Sequence, residues 1–171
     1  FFSPRTESLN FMKRGIIYAD AVNAVSKSYA REILTPEFGE GLDKILLPMK
    51  SKLFGIVNGI DYEEFNPLTD TMIEKNYDVR SLDKRQDNKK ALQKEFGLEI
   101  KDNSLLLGFV GRLDYMKGVD MAISVLRNAM KEYDIQFVEI GAGDWSLVEM
   151  LEGLVKDFPK RVGIHPYPNF T

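Results

Sequence analysis

The sequence lacks cysteine altogether and contains a single histidine in 171 residues. Without cysteine, disulfide bonds, thiolate metal ligands and a cysteine nucleophile are excluded, and a reducing, cytoplasmic location is expected. The one histidine, His165, has no partner at the spacing of a metal site. We therefore predict no metal site and no bound cofactor.

The sequence also lacks a strong excess of either charge and any long apolar run. It contains 23 Lys and Arg residues and 26 Asp and Glu residues, and the resulting net charge of -3 argues against a nucleic acid partner. The longest apolar runs, such as 105–110, are far too short to span a membrane, so no membrane association is expected. Hydrophobic residues still make up 44% of the chain, which is enough for a core.

The second half of the chain alternates between short apolar runs and amphipathic segments. We predict strands at 105–110, 135–140 and 161–164, the first of them buried on both faces. Apolar residues recur at helical spacing over 118–132 and again after Asp144, which we predict to cap the second helix. Strand, helix, strand, helix, strand in this order predicts right-handed βαβ units, and so half of a doubly wound parallel sheet.

The first sixty residues have the same α/β character. Strands are predicted at 21–25 and 53–57, a helical face around 9–19, and a helix over 26–34 with Ser26 as its N-cap. We expect these elements to belong to a separate piece of the same fold class.

A polar region separates the two halves. Asp, Asn, Pro and Thr cluster over 59–83, and a polar helix over 84–96 is ended by Gly97. The predicted division is therefore the end of an N-terminal lobe at 1–58, a linker with its helix at 59–103, and the first half of a C-terminal lobe at 104–171.

The sequence GFVGRLDYMKGVD at 108–120 carries the main site prediction. It follows a strand of a parallel sheet and leads into a helix, which is where open α/β folds bind ligands and where the helix dipole favours an anion. Arg112 offers a planar fork and Lys117 a compact charge, and together they suit a diphosphate. Gly111 and Gly118 would let the backbone approach it. The alternative is a surface loop with two solvated cations and two turn-forming glycines.

Two further segments are candidates. In the turn GAGD at 141–144, Gly141 and Gly143 would bring backbone amides near a nucleotide, although neither this turn nor the preceding loop has the order of a Walker loop or of a dinucleotide fingerprint. For Asn58, in GIVNGIDYEEFNP, the residues alone favour a simple Asn-Gly turn. The alternative is an amide that hydrogen-bonds a sugar hydroxyl.

Taken together, these motifs resemble one family. The segment from Tyr18 to Asp43, the NGID box, NKKALQKEFGL, GFVGRLDYMKGVD and GAGD follow each other as in bacterial glycogen synthases and plant starch synthases. The resemblance covers nearly the whole chain. The first two segments are the most specific, because GxVxRLxxxKG is shared by many related glycosyltransferases.

The resemblance implies the two-lobed GT-B fold with Rossmann-like lobes. It also implies transfer of glucose from ADP-glucose to the non-reducing end of an α-1,4-glucan, with retention of configuration. By the same resemblance Arg112 and Lys117 hold the donor's diphosphate, Asn58 lies near the transferred sugar, and Tyr167 stacks on the adenine. For Tyr167 a surface tyrosine is the alternative.

Parts of the family's pattern have no counterpart in these 171 residues. They include the N-terminal Lys-Thr-Gly-Gly donor loop and the C-terminal stretch with a glutamate near the donor glucose. We therefore expect a fragment that is inactive alone and belongs to an active parent enzyme. Two alternatives stay open: a related GT-B enzyme that uses UDP-glucose, and a noncatalytic module that binds nucleotide or glucan.

Overall fold

The computed structural model describes residues 10–167 and divides the chain into two compact units, 1–62 and 63–171. Unit 1 contains α1 (Phe11–Tyr18), β1 (Val22–Ala24), α2 (Tyr29–Glu32), α3 (Asp43–Leu46), a 3-10 helix (Leu47–Lys52) and β2 (Leu53–Gly55). Unit 2 contains a 3-10 helix (Leu82–Lys84), α4 (Arg85–Glu95), β3 (Leu105–Val110), a 3-10 turn (Tyr115–Lys117), α5 (Val119–Glu132), β4 (Ile135–Ile140), α6 (Trp145–Asp157) and β5 (Val162–His165). The lobe limits at 58/59 and 103/104 stay predictions.

Unit 1 is built around a pair of short parallel strands, β1 and β2. Both strands were expected, but they are three residues long rather than five. The helix expected over 26–34 is shortened to α2, although Ser26 does accept a hydrogen bond from the Tyr29 amide at 3.0 Å. At the end of β2, a Cβ on Gly55 would lie 2.4 Å from the α-carbon of Lys27, so only glycine allows this close approach.

Unit 2 contains a three-stranded parallel sheet in the order β3-β4-β5. The two βαβ units and the α/β class predicted for this half are confirmed. The apolar faces of α5 and α6 pack on one side of the sheet, in a core with Leu151 and Leu154 fully buried at its centre. Phe96 and Leu98, which follow α4, pack on the opposite side against Val138.

The prediction that the strand at 105–110 is buried on both faces is wrong. β3 lies at the edge of the sheet as far as residues 10–167 are concerned, and Leu105 and Val110 are 56% and 77% exposed. The central strand is β4, whose first five residues are all buried. A continuous apolar run indicates a strand of a parallel sheet, but it does not say which strand is central, because both kinds have the same composition.

The predicted polar helix, α4, is joined to β4 by buried side-chain amides on the face of the sheet opposite α5 and α6. The Gln93 side chain is fully buried, and its Nε2 donates to Gln136 Oε1 at 2.6 Å and to the Lys101 carbonyl at 3.0 Å. Gln136 Nε2 in turn donates to the Glu99 carbonyl at 2.6 Å. Gly97 follows with a φ of +66° and ends α4 as predicted.

Candidate functional site

Two loops lie side by side at the carboxyl edge of the sheet in unit 2. We call residues 111–118, between β3 and α5, the arginine loop, and residues 141–144, between β4 and α6, the glycine turn. The Gly111 amide donates to the Ile140 carbonyl at 3.0 Å, and the Asp144 amide donates to the Leu113 carbonyl at 2.8 Å. The strand pairing therefore continues past the strand ends and holds the two loops together.

A buried leucine fixes the backbone beside the first predicted cation. Leu113 is fully buried in the core formed with α5 and α6, and its amide donates to the Ala142 carbonyl at 3.0 Å. Its neighbour Arg112 points outward, with a side chain 80% exposed and a guanidinium nitrogen 3.6 Å from an Asp114 carboxylate oxygen. An exposed pair of this kind contributes little to stability. The Arg112 guanidinium is therefore exposed to solvent, while the backbone next to it is fixed by the buried Leu113.

The second predicted cation ends a tight turn just before α5. Asp114 Oδ1 accepts a hydrogen bond from the Met116 amide at 2.7 Å and so forms the turn at whose end the exposed Lys117 lies. Gly118 follows with a φ of +68°, which glycine adopts without strain. Among the described residues no side chain caps α5. Its first amides and the positive end of its dipole are thus available to an anion.

The helix behind the glycine turn begins differently. Asp144 Oδ1 accepts hydrogen bonds from the Ser146 amide at 2.8 Å and from the Ser146 hydroxyl at 2.6 Å. These bonds lower the pKa of the Asp144 carboxyl, the side-chain bond more than the backbone bond. The prediction that Asp144 caps this helix is confirmed.

The glycine turn requires its glycines for packing. A Cβ on Gly141 would lie 1.9 Å from the Gly111 carbonyl oxygen, and one on Gly143 would lie 2.0 Å from the Leu113 carbonyl oxygen. No larger residue fits without moving the arginine loop. This accounts for both glycines structurally, and their contact with a nucleotide stays a prediction.

A carboxyl group that sequence reasoning missed is buried beneath both loops. Glu139, on β4, is fully buried, and neither of its carboxylate oxygens has a hydrogen-bond partner within the described part of the chain. Burial alone raises the pKa of Glu139 from 4.5 to about 7. The available signal was its position as the one charged residue in the apolar run IQFVEI.

An exposed aromatic pair lies at the same edge of the sheet. The Tyr167 ring stacks on Trp145 with centroids 6.5 Å apart and ring planes 28° apart, and each side chain is more than half exposed. Trp145 Nε1 donates to Glu149 Oε1 at 3.0 Å, which fixes the indole. Sequence reasoning missed Trp145, although it is the only tryptophan and follows the predicted cap. The stacking of Tyr167 on adenine stays a prediction.

The last predicted site residue belongs to unit 1. Asn58 is exposed in the stretch 56–61, where the structure assigns no turn, so the prediction of an Asn-Gly turn is wrong. Its contact with a sugar stays a prediction.

Two other features, a metal-binding cluster and a membrane-spanning helix, are absent from residues 10–167. Within that range, no group of three or more His, Asp and Glu side chains is placed to hold a metal ion. No helix of the same range is long and apolar enough to cross a membrane.

Comparison with known proteins gives consistent matches. A family profile described as the starch synthase catalytic domain matches residues 4–47. Glycogen synthase of Thermosipho melanesiensis is 46% identical over 154 residues, which are 90% of this chain and 32% of the relative. Glycogen synthase of Lactobacillus acidophilus is 46% identical over 156 residues, which are 91% of this chain and 33% of the relative. The chain thus spans about a third of the length of the curated relatives it matches.

A solved structure extends the match to the fold. The catalytic domain of starch synthase IV from Arabidopsis thaliana, bound to ADP and acarbose, superimposes with a TM-score of 0.85 at 30% identity. The alignment covers 94% of this chain and 33% of that chain. The architecture is therefore that of part of a GT-B glycosyltransferase, as predicted. Sequence and structure agree that the chain belongs, as a segment of about a third of their length, to the glycogen and starch synthase family.

Proposed function

We propose that this chain is a segment of a retaining glucosyltransferase that extends an α-1,4-glucan. The complete enzyme transfers glucose from ADP-glucose to the non-reducing end of the glucan, and Arg112 and Lys117 bind the diphosphate of the donor. A cytoplasmic location belongs to the same proposal and is supported by the absence of cysteine from the sequence.

One observation of the structure carries the proposal. The arginine loop places an exposed guanidinium and an exposed ammonium on either side of a turn that leads into the uncapped start of α5. Cations and free helix amides at the carboxyl edge of a parallel sheet are suited to a phosphate ligand. The likeness to glycogen synthases and to a starch synthase bound to ADP supports a nucleotide diphosphate as that ligand.

The chemistry explains why two cations are useful there. When the glucosyl–phosphate bond breaks, the electron pair leaves with ADP, and negative charge grows on the diphosphate oxygen. A guanidinium and an ammonium held at that oxygen stabilise the charge more in the transition state than in the ground state, which lowers the barrier. The sugar meanwhile gains oxocarbenium character, as in glycoside hydrolysis. On this proposal Arg112 and Lys117 are the catalytic residues of the segment.

A binding experiment tests the proposal on the chain itself. Calorimetric titration with ADP, UDP and ADP-glucose is expected to show weak binding of the adenine nucleotides, and substitution of Arg112 and Lys117 by alanine is expected to remove it. A preference for UDP would favour the related enzyme that uses UDP-glucose. Unchanged ADP affinity in the double variant would refute the assignment of the site.

A further inference from the structure

We propose that Glu139 is a positioning residue that, as a neutral acid, keeps the arginine loop closed against the glycine turn, and that loss of its proton loosens the loop and weakens diphosphate binding. The choice of ligand rests on the proposed function. The mechanical part, in which Glu139 controls the loop, rests on the structure alone.

The geometry puts the carboxyl group under the contact between the two loops. A Cβ on Gly141 would lie 2.8 Å from Glu139 Oε1 and 1.9 Å from the Gly111 carbonyl oxygen. The carboxyl group and that carbonyl are therefore neighbours, packed against the same α-carbon. Gly111 is also the residue whose amide bonds to Ile140 and begins the contact between the loops. A change of charge on Glu139 acts directly on the backbone that precedes Arg112.

The surroundings offer an ionised Glu139 no compensation. On the neighbouring strands it is paired with Phe109 and Ile164, both apolar. The side chains that α5 and α6 bury on this face of the sheet are also apolar, and they are Val119, Ile123, Leu126, Met130, Leu147, Val148, Leu151 and Leu154. Burial is the only cause that raises the pKa of Glu139. A buried carboxylate without a partner is strongly unfavourable, so it will draw in water or move toward it.

The loop contact is where that relaxation costs least. The core side of Glu139 is closed by packed side chains, whereas on its loop side lies the short backbone contact between 111–113 and 140–144. Opening this contact admits water to the carboxylate and releases the backbone on which Arg112 is held. Since the open form binds the diphosphate less well, binding and protonation of Glu139 are linked and each favours the other.

The linkage has a definite sign and range. In the closed form the pKa of Glu139 is about 7, and in an open, hydrated form it returns toward 4.5. The closed form is therefore favoured most at pH 4.5 and below. The fraction of the open form increases as the pH rises from 4.5 to about 7 and is constant above that. Binding of ADP, which selects the closed form, should take up protons between these two values.

The test compares the chain with its Glu139→Gln variant, which keeps the shape of the side chain and cannot ionise. ADP affinity and proton uptake are measured by calorimetry between pH 4.5 and pH 7, in buffers of different ionisation enthalpy. We expect the affinity of the parent chain to fall relative to the variant by about fivefold as the pH rises, the equivalent of one hydrogen bond. Proton uptake should exceed that of the variant. Equal pH dependence and equal proton uptake in the two proteins would overturn the proposal.

A second measurement separates this inference from the proposed function. The carboxyl carbon of Glu139 and the amides of Gly111 and Leu113 are followed by NMR through the same pH range without any ligand. A common midpoint, absent from the amides of Glu139→Gln, supports the control of the loop even if ADP fails to bind. Amides that ignore the titration of Glu139 would refute it even if ADP binds as proposed.

Discussion

The arginine loop and the glycine turn follow neighbouring strands of one sheet, yet the helices behind them begin in opposite ways. Behind the glycine turn, the Asp144 side chain caps α6 through the Ser146 amide. Behind the arginine loop, Gly118 precedes α5, and no side chain within residues 10–167 caps that helix. The start of α6 is capped by its own side chain, whereas the start of α5 is uncapped and follows a loop with two exposed cations.

On the proposed function, this difference distinguishes a binding loop from a structural one in this parallel sheet. Helix amides must be satisfied, and a sequence that can do so with one Asp or Ser usually does. At the carboxyl edge of a parallel sheet, an uncapped helix start next to positive charge is more informative about an anion ligand than the glycines, which both loops contain. The glycine turn, by its close contact with Leu113, supports the loop that we propose to bind the diphosphate.

The largest effect is expected from removing the cations. In a full-length synthase containing this segment, Arg112→Ala combined with Lys117→Ala should lower kcat/KM for ADP-glucose by about a thousandfold, because two charge-assisted contacts to the leaving group are lost. Steady-state glucosyl transfer measures this. The matched control is Lys156→Ala with Lys131→Ala, which removes two cations from the last turns of α6 and α5 and should leave the rate unchanged. Equal rates in the double variant and its parent would refute the assignment of Arg112 and Lys117 to the donor diphosphate.

A smaller but still large effect is expected from the glycine turn. Gly143→Ala places a Cβ 2.0 Å from the Leu113 carbonyl oxygen, so the backbone of the arginine loop must shift. We expect a loss of about 3 kcal/mol in unfolding free energy, as for overpacking against a rigid neighbour. Denaturant titration measures it. In the control, Gly108→Ala, the nearest contact is an ordinary 3.6 Å from Val138, and stability should change little. Similar losses in both variants would show that the loops are not held in close contact.

Glu139 should make the stability of the folded chain depend on pH. Its pKa is raised on folding from 4.5 to about 7. The free energy of unfolding is therefore highest below pH 4.5, falls as the pH rises toward about 7, and does not change further above that. The loss is at most about 3 kcal/mol, from the size of the shift. Denaturant titrations across this range should show it in the parent chain, and the curve of Glu139→Gln should be flat by comparison. A flat curve for both would mean that Glu139 is hydrated in the folded state.

Sequence patterns predicted those features that depend on local periodicity or on one well-understood residue type. The strands and helices of unit 2, the cap at Asp144 and the helix end at Gly97 are of this kind. The exposure of β3 was mispredicted, because strand order is a long-range property that an apolar run does not encode. Glu139 and Trp145 were missed for a related reason. Their interest comes from what the fold places around them, a closed apolar core for one and a second aromatic ring for the other.

The smallest effect should come from the cap of α6, and it is the one that separates the two loops most cleanly. Asp144→Ala removes the acceptor for the Ser146 amide and should cost about 1 kcal/mol of stability. The exposed Asp144 lies in the supporting turn, and its backbone bond to Leu113 remains in the variant, so ADP affinity should stay within about twofold. Thermal unfolding and calorimetry of the same sample measure both quantities. In Asp144→Asn, which can still accept the amide hydrogen bond, most of the lost stability should return. If Asp144→Ala instead weakened ADP binding as much as loss of Lys117, the glycine turn would itself belong to the anion site, and the distinction between an open and a closed helix start would no longer identify where the ligand binds.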